Sequence, residues 1–240
     1  MEALEIKTIF TLFLFGRAVP ITETVIISWL VMVILIVASI ILAGRLREIP
    51  AGPQAILETG VEFLNNFAKN QFGRFAKILG PYIGTVFLFL LLSNIIGLLS
   101  PVEMKIAGHE FIPPFTIRPP TRDLNVTAAL AAISIILVLV FGFAARGIGG
   151  WFKNLLHPMP VMLPFNLLDY GTRFLSLSLR LYGNILAGFV LMGMIEKLLP
   201  VGLPAICSLY FDIFDGLLQA GIFVFLTVIY IAEAVKINED

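Results

Sequence analysis

Arg180 stands in the stretch Phe174-Leu-Ser-Leu-Ser-Leu-Arg180-Leu-Tyr-Gly-Asn184-Ile-Leu-Ala-Gly188, which is otherwise apolar enough to lie in a bilayer. A guanidinium keeps its proton there, and placing it at the bilayer centre costs roughly 2.5 to 17 kcal/mol, so a partner or solvent must compensate it. Asp169, Arg173, Ser176, Arg180 and Asn184 follow one another at steps of four, three, four and four. A helix places that spacing on one stripe. A second polar set, Asp212, Asp215 and Gln219, recurs at steps of three and four in the last apolar segment. Charged and titratable groups inside hydrocarbon mark an ion path or an intramembrane binding site. Bond-making chemistry would need a nucleophile with a base or a metal cluster, and no Ser-His arrangement, His-Glu-x-x-His motif or Gly-Asp acid pair is present.

The chain around these residues suits a bilayer. Of 240 residues, 59% are hydrophobic and 13% charged, with a mean hydropathy of +0.98, against about 25% charged in a soluble domain. This is an integral membrane protein with room for roughly five or six membrane segments and none for a separate soluble catalytic domain. Net charge is zero, and there is no basic tail, no aromatic-interleaved basic patch and no phosphate-cradling Gly-rich loop. Nucleic acid and nucleotide are therefore not expected as direct ligands, and no cofactor is expected. The single cysteine, Cys207, reads as a small buried hydrophobe, and His109 and His157 as surface histidines without a second ligand at metal spacing.

The elements that must position the polar stripes are legible as apolar runs. Residues 24–43 form a charge-free first transmembrane helix, stopped by Gly44, Arg45 and Arg47. Over 54–77, Leu57, Val61, Leu64, Ala68, Phe72 and Phe75 recur at steps of three and four among Glu58, Glu62, Asn65, Asn66, Lys69 and Arg74. That pattern predicts an amphipathic helix, lying along the membrane interface or buried against a partner subunit. Residues 78–102 and 124–145 are the second and third transmembrane helices. Between them lies a proline-rich surface loop whose Pro119-Pro-Thr-Arg-Asp-Leu-Asn125 stretch offers an N-terminal cap. After a polar connection, 146–164, the stretch 165–199 forms a helix of about 35 residues, roughly 52 Å at about 1.5 Å per residue. That is too long for an upright crossing, so it is expected to tilt or bend. Residues 205–235 return as a C-terminal helix behind a Pro-Val-Gly-Leu-Pro turn, which makes the last two segments a hairpin. The fold class is thus all-α integral membrane, with about four steep transmembrane helices or spans, one interfacial amphipathic helix and a long tilted intramembrane hairpin formed by the last two segments.

The run Thr8 to Phe15 reads as a short surface segment, not a signal peptide, because Glu2 and Glu5 spoil a basic leader. With the amino terminus outside, eight Lys/Arg fall inside and six outside, a bias contributed mainly by the basic residues around the amphipathic helix. Trp29, Tyr82, Trp151 and Tyr230 lie near span ends as interfacial anchors.

The segment Ser176-Leu-Ser-Leu-Arg180-Leu-Tyr-Gly-Asn184-Ile-Leu-Ala-Gly188, followed by Leu217-Leu-Gln-Ala220 and Phe223-Val-Phe-Leu-Thr-Val-Ile-Tyr230, resembles the a subunit of F-type ATP synthases. Asp123-Leu-Asn-Val-Thr127 resembles that family's entry to the corresponding membrane helix, and the first fifty residues contribute little. The resemblance implies a non-catalytic, ion-translocating stator subunit of the Fo sector, multi-pass in a bacterial inner (plasma) membrane. It implies as partners the ring of c subunits, the b-subunit peripheral stalk, the lipid bilayer and, indirectly, the soluble F1 head. It assigns Arg180 the place facing the c-ring carboxylates, and puts Asn184, Gln219 and Ser176 along the path. Many relatives carry an acidic residue or histidine where this chain has Phe189. Asp212 and Asp215, with Asp123 as a further candidate, are therefore expected to serve the outer half-channel. Asp169 and Arg173 are either an ordinary ion pair four residues apart or part of the inner half-channel. A self-contained channel or secondary carrier is the competing class, but the chain shows no repeated half. The coupling ion, H+ or Na+, is set mainly in the c subunit.

Overall fold

The computed structural model describes residues 8–14, 17–44, 52–96, 104–106, 109–111, 119–156, 159–198, 207 and 210–235. Helix α1 (Glu23–Ala43) follows a β-hairpin made of β1 (Thr8–Leu14) and β2 (Arg17–Thr22). Helix α2 (Pro53–Phe72) passes through a short 3-10 turn at Gly73–Phe75 into α3 (Ala76–Ile95). A second hairpin, β3 (Met104–Ile106) and β4 (His109–Phe111), precedes the 3-10 turn Pro120–Arg122 and helix α4 (Leu124–Leu156). Helix α5 (Leu163–Leu198) runs 36 residues, and one turn of π-helix at Phe211–Asp215 leads into α6 (Gly216–Val235). Among the described residues, five stretches are long and apolar enough to cross a bilayer, and large apolar side chains such as Ile36, Ile40, Phe165, Leu168 and Leu179 point outward from them. The all-helical integral membrane architecture follows.

Two sequence expectations are corrected and one gains a conformation. Within the Thr8 to Phe15 surface segment, Thr8–Leu14 is the first strand of a hairpin, in which Leu14 pairs with Arg17 and Thr11 with Pro20, and Thr8, Thr11 and Phe13 are exposed. Thr8, Ile9, Phe10, Thr11 and Phe13 on the first arm, then Val19, Ile21 and Thr22 on the second, supply strand-forming residues. The proline-rich loop likewise contains the β3–β4 hairpin, with Lys105 opposite Glu110. The polar connection after residue 145 is the continuation of α4, which turns at Gly147 (φ 71, ψ 165) and resumes to Leu156. Glycine takes that positive φ without a Cβ clash. The resumed piece is held by Trp151, whose ring lies 4.7 Å from Phe143 and 6.3 Å from Tyr170, and by buried Leu155. Trp151 is thus a packing residue rather than only an anchor.

The amphipathic helix expected over 54–77 ends at Gly73, and α3 starts two residues earlier than expected. Ala68 and Phe72, on its apolar stripe, are buried, whereas Leu57 and Val61 are exposed. The second span's expected end at 102, the Pro200 to Pro204 turn and His157 lie outside the described residues. Cys207 is half-buried.

The chain forms two compact units, and α3, α4, α5 and α6 each contribute to both. The first combines Met1–Ile41, Leu88–Val126 and Leu181–Ala220. In its core, Ile27 and Val31 of α1 cluster with Ile96, and Leu35, Phe89 and Leu92 pack around them. The second combines Leu42–Phe87, Thr127–Arg180 and Gly221–Asp240. There Phe223, Val224, Thr227, Val228, Ile231 and Ala232 form the buried stripe of α6 at steps of one and three. Phe225 stacks on Phe67 at 6.1 Å between centroids, and the Thr227 hydroxyl donates to Ser134 Oγ at 3.4 Å.

Candidate functional site

Because α5 is continuous from Leu163 to Leu198, Asp169, Arg173, Ser176, Arg180 and Asn184 lie on one stripe within about 80° of arc. In the second unit this stripe carries two arginines with different surroundings. Arg173, its side chain 16% exposed, forms an ion pair with Asp169 Oδ2 at 2.6 Å and with Glu233 Oε2 at 2.9 Å. Its guanidinium also lies over the Tyr230 ring, 4.7 Å from the centroid. The i to i+4 pair read from the sequence is therefore present, and α6 adds a second carboxylate and an aromatic face. Arg180, seven residues on, is exposed. Its Nη2 reaches Ser176 Oγ at 3.4 Å, a long contact, and it has no ion pair among the described residues.

In the first unit the site residues are more deeply packed. Gln219 is 3% exposed, and its amide nitrogen donates to the carbonyl of Leu181, the residue after Arg180. Its Oε1 is buried and has no hydrogen-bond partner among the described residues. Asn184 and Asp215 are half-buried. Asp212 lies in the π-turn Phe211–Asp215, and its side chain is outside the description. A π-turn closes i to i+5 bonds. The α-helical spacing that aligned Asp212 with Asp215 and Gln219 consequently does not apply across it. The seam between π-turn and α6 is held from α3: Asn94 Nδ2 donates to the Gly216 carbonyl at 3.1 Å, and Thr121 Oγ1 donates to Asn94 Oδ1 at 2.8 Å.

Asp123 is 3% exposed and has both carboxylate oxygens engaged. Oδ1 accepts the Asn125 backbone N–H at 2.8 Å, which caps α4, and Oδ2 accepts the Thr24 hydroxyl of α1 at 2.9 Å. The cap expected from Pro119 to Asn125 is thus present. It doubles as a tie between two helices.

The sequence reading missed three participants. Glu233 follows an apolar run as an isolated charge and was not singled out within the C-terminal helix expected over 205–235. Tyr230 read only as an interfacial anchor. Asn94 sits in a charge-free span, where a buried amide in Leu-Ser-Asn-Ile-Ile was itself the signal that an interhelical hydrogen bond was needed.

These features define a multi-span membrane protein whose polar residues line an intramembrane helix, the construction of an ion-transporting membrane subunit. The chain belongs to the family described as ATP synthase A chain, whose pattern matches residues 25–232. It is 38% identical over 216 residues to ATP synthase subunit a, sodium ion specific, from Propionigenium modestum, an alignment covering 90% of this chain and 75% of that relative. The family is an ion-translocating membrane component of the Fo sector, so the chain works with other subunits of an ATP synthase.

Proposed function

We propose that this subunit is the stator against which a ring of c subunits turns, and that Arg180 is the fixed charge facing the ring's carboxyl groups. The observation that carries this reading is the contrast on α5. Arg173 is neutralised within the chain by Asp169 and Glu233, whereas Arg180 has only the Ser176 hydroxyl at 3.4 Å among the described residues. An intramembrane arginine left so is completed by a carboxylate from outside the chain. Lysine would suit the place less well, because an ammonium loses its proton more readily in a dry site.

Approach of a protonated c-subunit carboxyl to Arg180 favours its ionised form, so the ion is released there. Two aqueous half-channels opening to opposite sides then let an ion board the ring, ride almost a full turn and leave. One charge crossing 100 mV releases about 2.3 kcal/mol, which rotation carries to the soluble head where ATP is made. Because guanidinium does not give up its proton, Arg180 blocks a direct proton relay between the half-channels. Ser176 and Asn184 flank Arg180 by one turn on each side along the path, and the open Gln219 Oε1 is an acceptor for water or an ion on it. Asp215 and Asp212 serve the outer half-channel, with Asp123 bordering it, and Asp169 and Arg173 stand at the inner one. The peripheral-stalk b subunits hold the chain still, in a bacterial plasma membrane. The coupling ion is H+ or Na+; the relative named for sodium makes Na+ the first to vary.

The test is contact. In a Cys207→Ser background, Leu179→Cys paired with a cysteine beside the ring carboxyl should form a disulfide in the assembled complex and stop rotation reversibly. No cross-link from Leu179→Cys or from Ser176→Cys, in a complex that makes ATP, would contradict this placement.

A further inference from the structure

We infer that Asn94, on α3, is a positioning residue for the ion path: it fixes the π-turn Phe211–Asp215 and thereby the direction in which Asp215 is presented. This inference rests on the reading that Asp215 lines that path.

A π-turn interrupts the i to i−4 ladder, so the carbonyls around it need other donors. At its exit the Gly216 N–H turns back to the Ile213 carbonyl, and the Gly216 carbonyl accepts the Asn94 amide at 3.1 Å. Asn94 is 6% exposed, and its orientation is set by Thr121, fully buried, which donates to Oδ1 at 2.8 Å. A flipped amide would turn its oxygen toward the Gly216 carbonyl and lose that bond, and it would take the Thr121 hydroxyl away from Oδ1. The approach also requires glycine: a Cβ at position 216 would lie 2.9 Å from the Asn94 Cβ, closer than such atoms come. Two residues past Thr121, Asp123 caps α4 and accepts from Thr24. The turn that carries Asp215 is thus tied through Asn94 and Thr121 to the start of α4 and, through Asp123, to α1. Asp215 itself has no ion pair among the described residues, so its placement comes from the backbone that bears it.

Asn94 differs from an ordinary packing residue in that loss of its amide should change ion access at position 215 and not merely the amount of complex. In the complete ATP synthase reconstituted into vesicles, Asn94→Ala should raise the half-saturating concentration of the coupling ion for ATP synthesis by roughly tenfold, the effect of one buried hydrogen bond. In the Cys207→Ser background it should also change the rate at which Asp215→Cys reacts with a water-soluble thiol reagent. Thr121→Val, which keeps the shape and removes the donor that orients the amide, should shift both readouts in the same direction by less. If Asn94→Ala fails to assemble, Thr121→Val decides alone. Gly216→Ala should be disruptive, and Asn94→Gly should relieve its clash but not restore ion affinity. Unchanged ion half-saturation and thiol reactivity in Asn94→Ala or Thr121→Val would overturn the inference. Asp215→Asn separates the two levels: normal ion dependence in that variant sinks the reading of Asp215 as a path residue. Altered dependence in Asp215→Asn with none in Asn94→Ala sinks only the positioning role.

Discussion

Arg173 and Arg180 lie seven residues apart on one face of α5, about two turns or roughly 10 Å, and among the described residues only the first has a carboxylate partner. Two carboxylates and a tyrosine ring surround Arg173, and they draw on both α5 and α6. The same cation on the same stripe thus has two surroundings: at 173 it joins α5 to α6, and at 180, on the reading proposed above, it meets a carboxyl group of the ring.

The fastening role predicts a graded loss of stability. Glu233→Gln should cost about 0.5–1 kcal/mol, since its carboxylate is more than half exposed and such pairs are individually weak. Arg173→Ala should cost more, about 2 kcal/mol, because both ion pairs and the contact with Tyr230 go together. A double-mutant cycle between Arg173 and Glu233, read by denaturation in detergent, should show favourable coupling. Strict additivity would remove Arg173 from the α5–α6 contact.

At the start of α4, Asp123→Ala should destabilise the subunit by about 1–3 kcal/mol, losing a cap and the carboxylate that accepts from Thr24, whose hydroxyl keeps only the Thr22 hydroxyl at 2.7 Å. Asp123→Asn should cost much less, because an amide oxygen still caps and a threonine hydroxyl can also accept. Thermal inactivation of the complex measures the difference. Equal losses in the two variants would mean that charge rather than hydrogen bonding holds this end.

Gly147→Val forces a β-branched residue into the left-handed region and should cost upwards of about 1–2 kcal/mol. It should also straighten α4, moving the Ile148 to Leu156 piece away from Phe143. Spin labels on either side of residue 147 would report a longer distance in the variant. An unchanged distance would show that packing of Trp151 alone sets the bend.

Which of these features the sequence disclosed follows from how each is encoded. The stripe through Arg180 was readable because α5 runs uninterrupted, so a spacing rule applies from Asp169 to Asn184. The cap at Asp123 was readable because it depends on a residue type next to an apolar run. The turn at Gly147 was hidden, since Arg146, Gly149, Gly150 and Lys153 make the second piece of α4 look like a connection, and only Trp151 and Leu155 reveal a packed helix. The π-turn has no spacing signature, so periodicity carried Asp212 onto the face of Asp215 where the backbone does not keep it. Glu233 and Asn94 were missed for one reason: each is partnered by a residue distant in sequence, 60 and 122 positions away by subtraction of their numbers, and single-chain patterning reports only near neighbours.

The most direct test of the central claim is the Arg180→Ala variant in the complete complex reconstituted into vesicles, assayed for ion-driven ATP synthesis, ATP-driven pumping and, after removal of the soluble head, passive ion flux. Assembly should persist, because Arg180 is exposed and its one polar contact among the described residues, to Ser176, is long. Both coupled activities should disappear, with passive flux retained or raised once the fixed charge no longer separates the half-channels. Coupled synthesis and pumping at normal rates in Arg180→Ala would contradict the stator account.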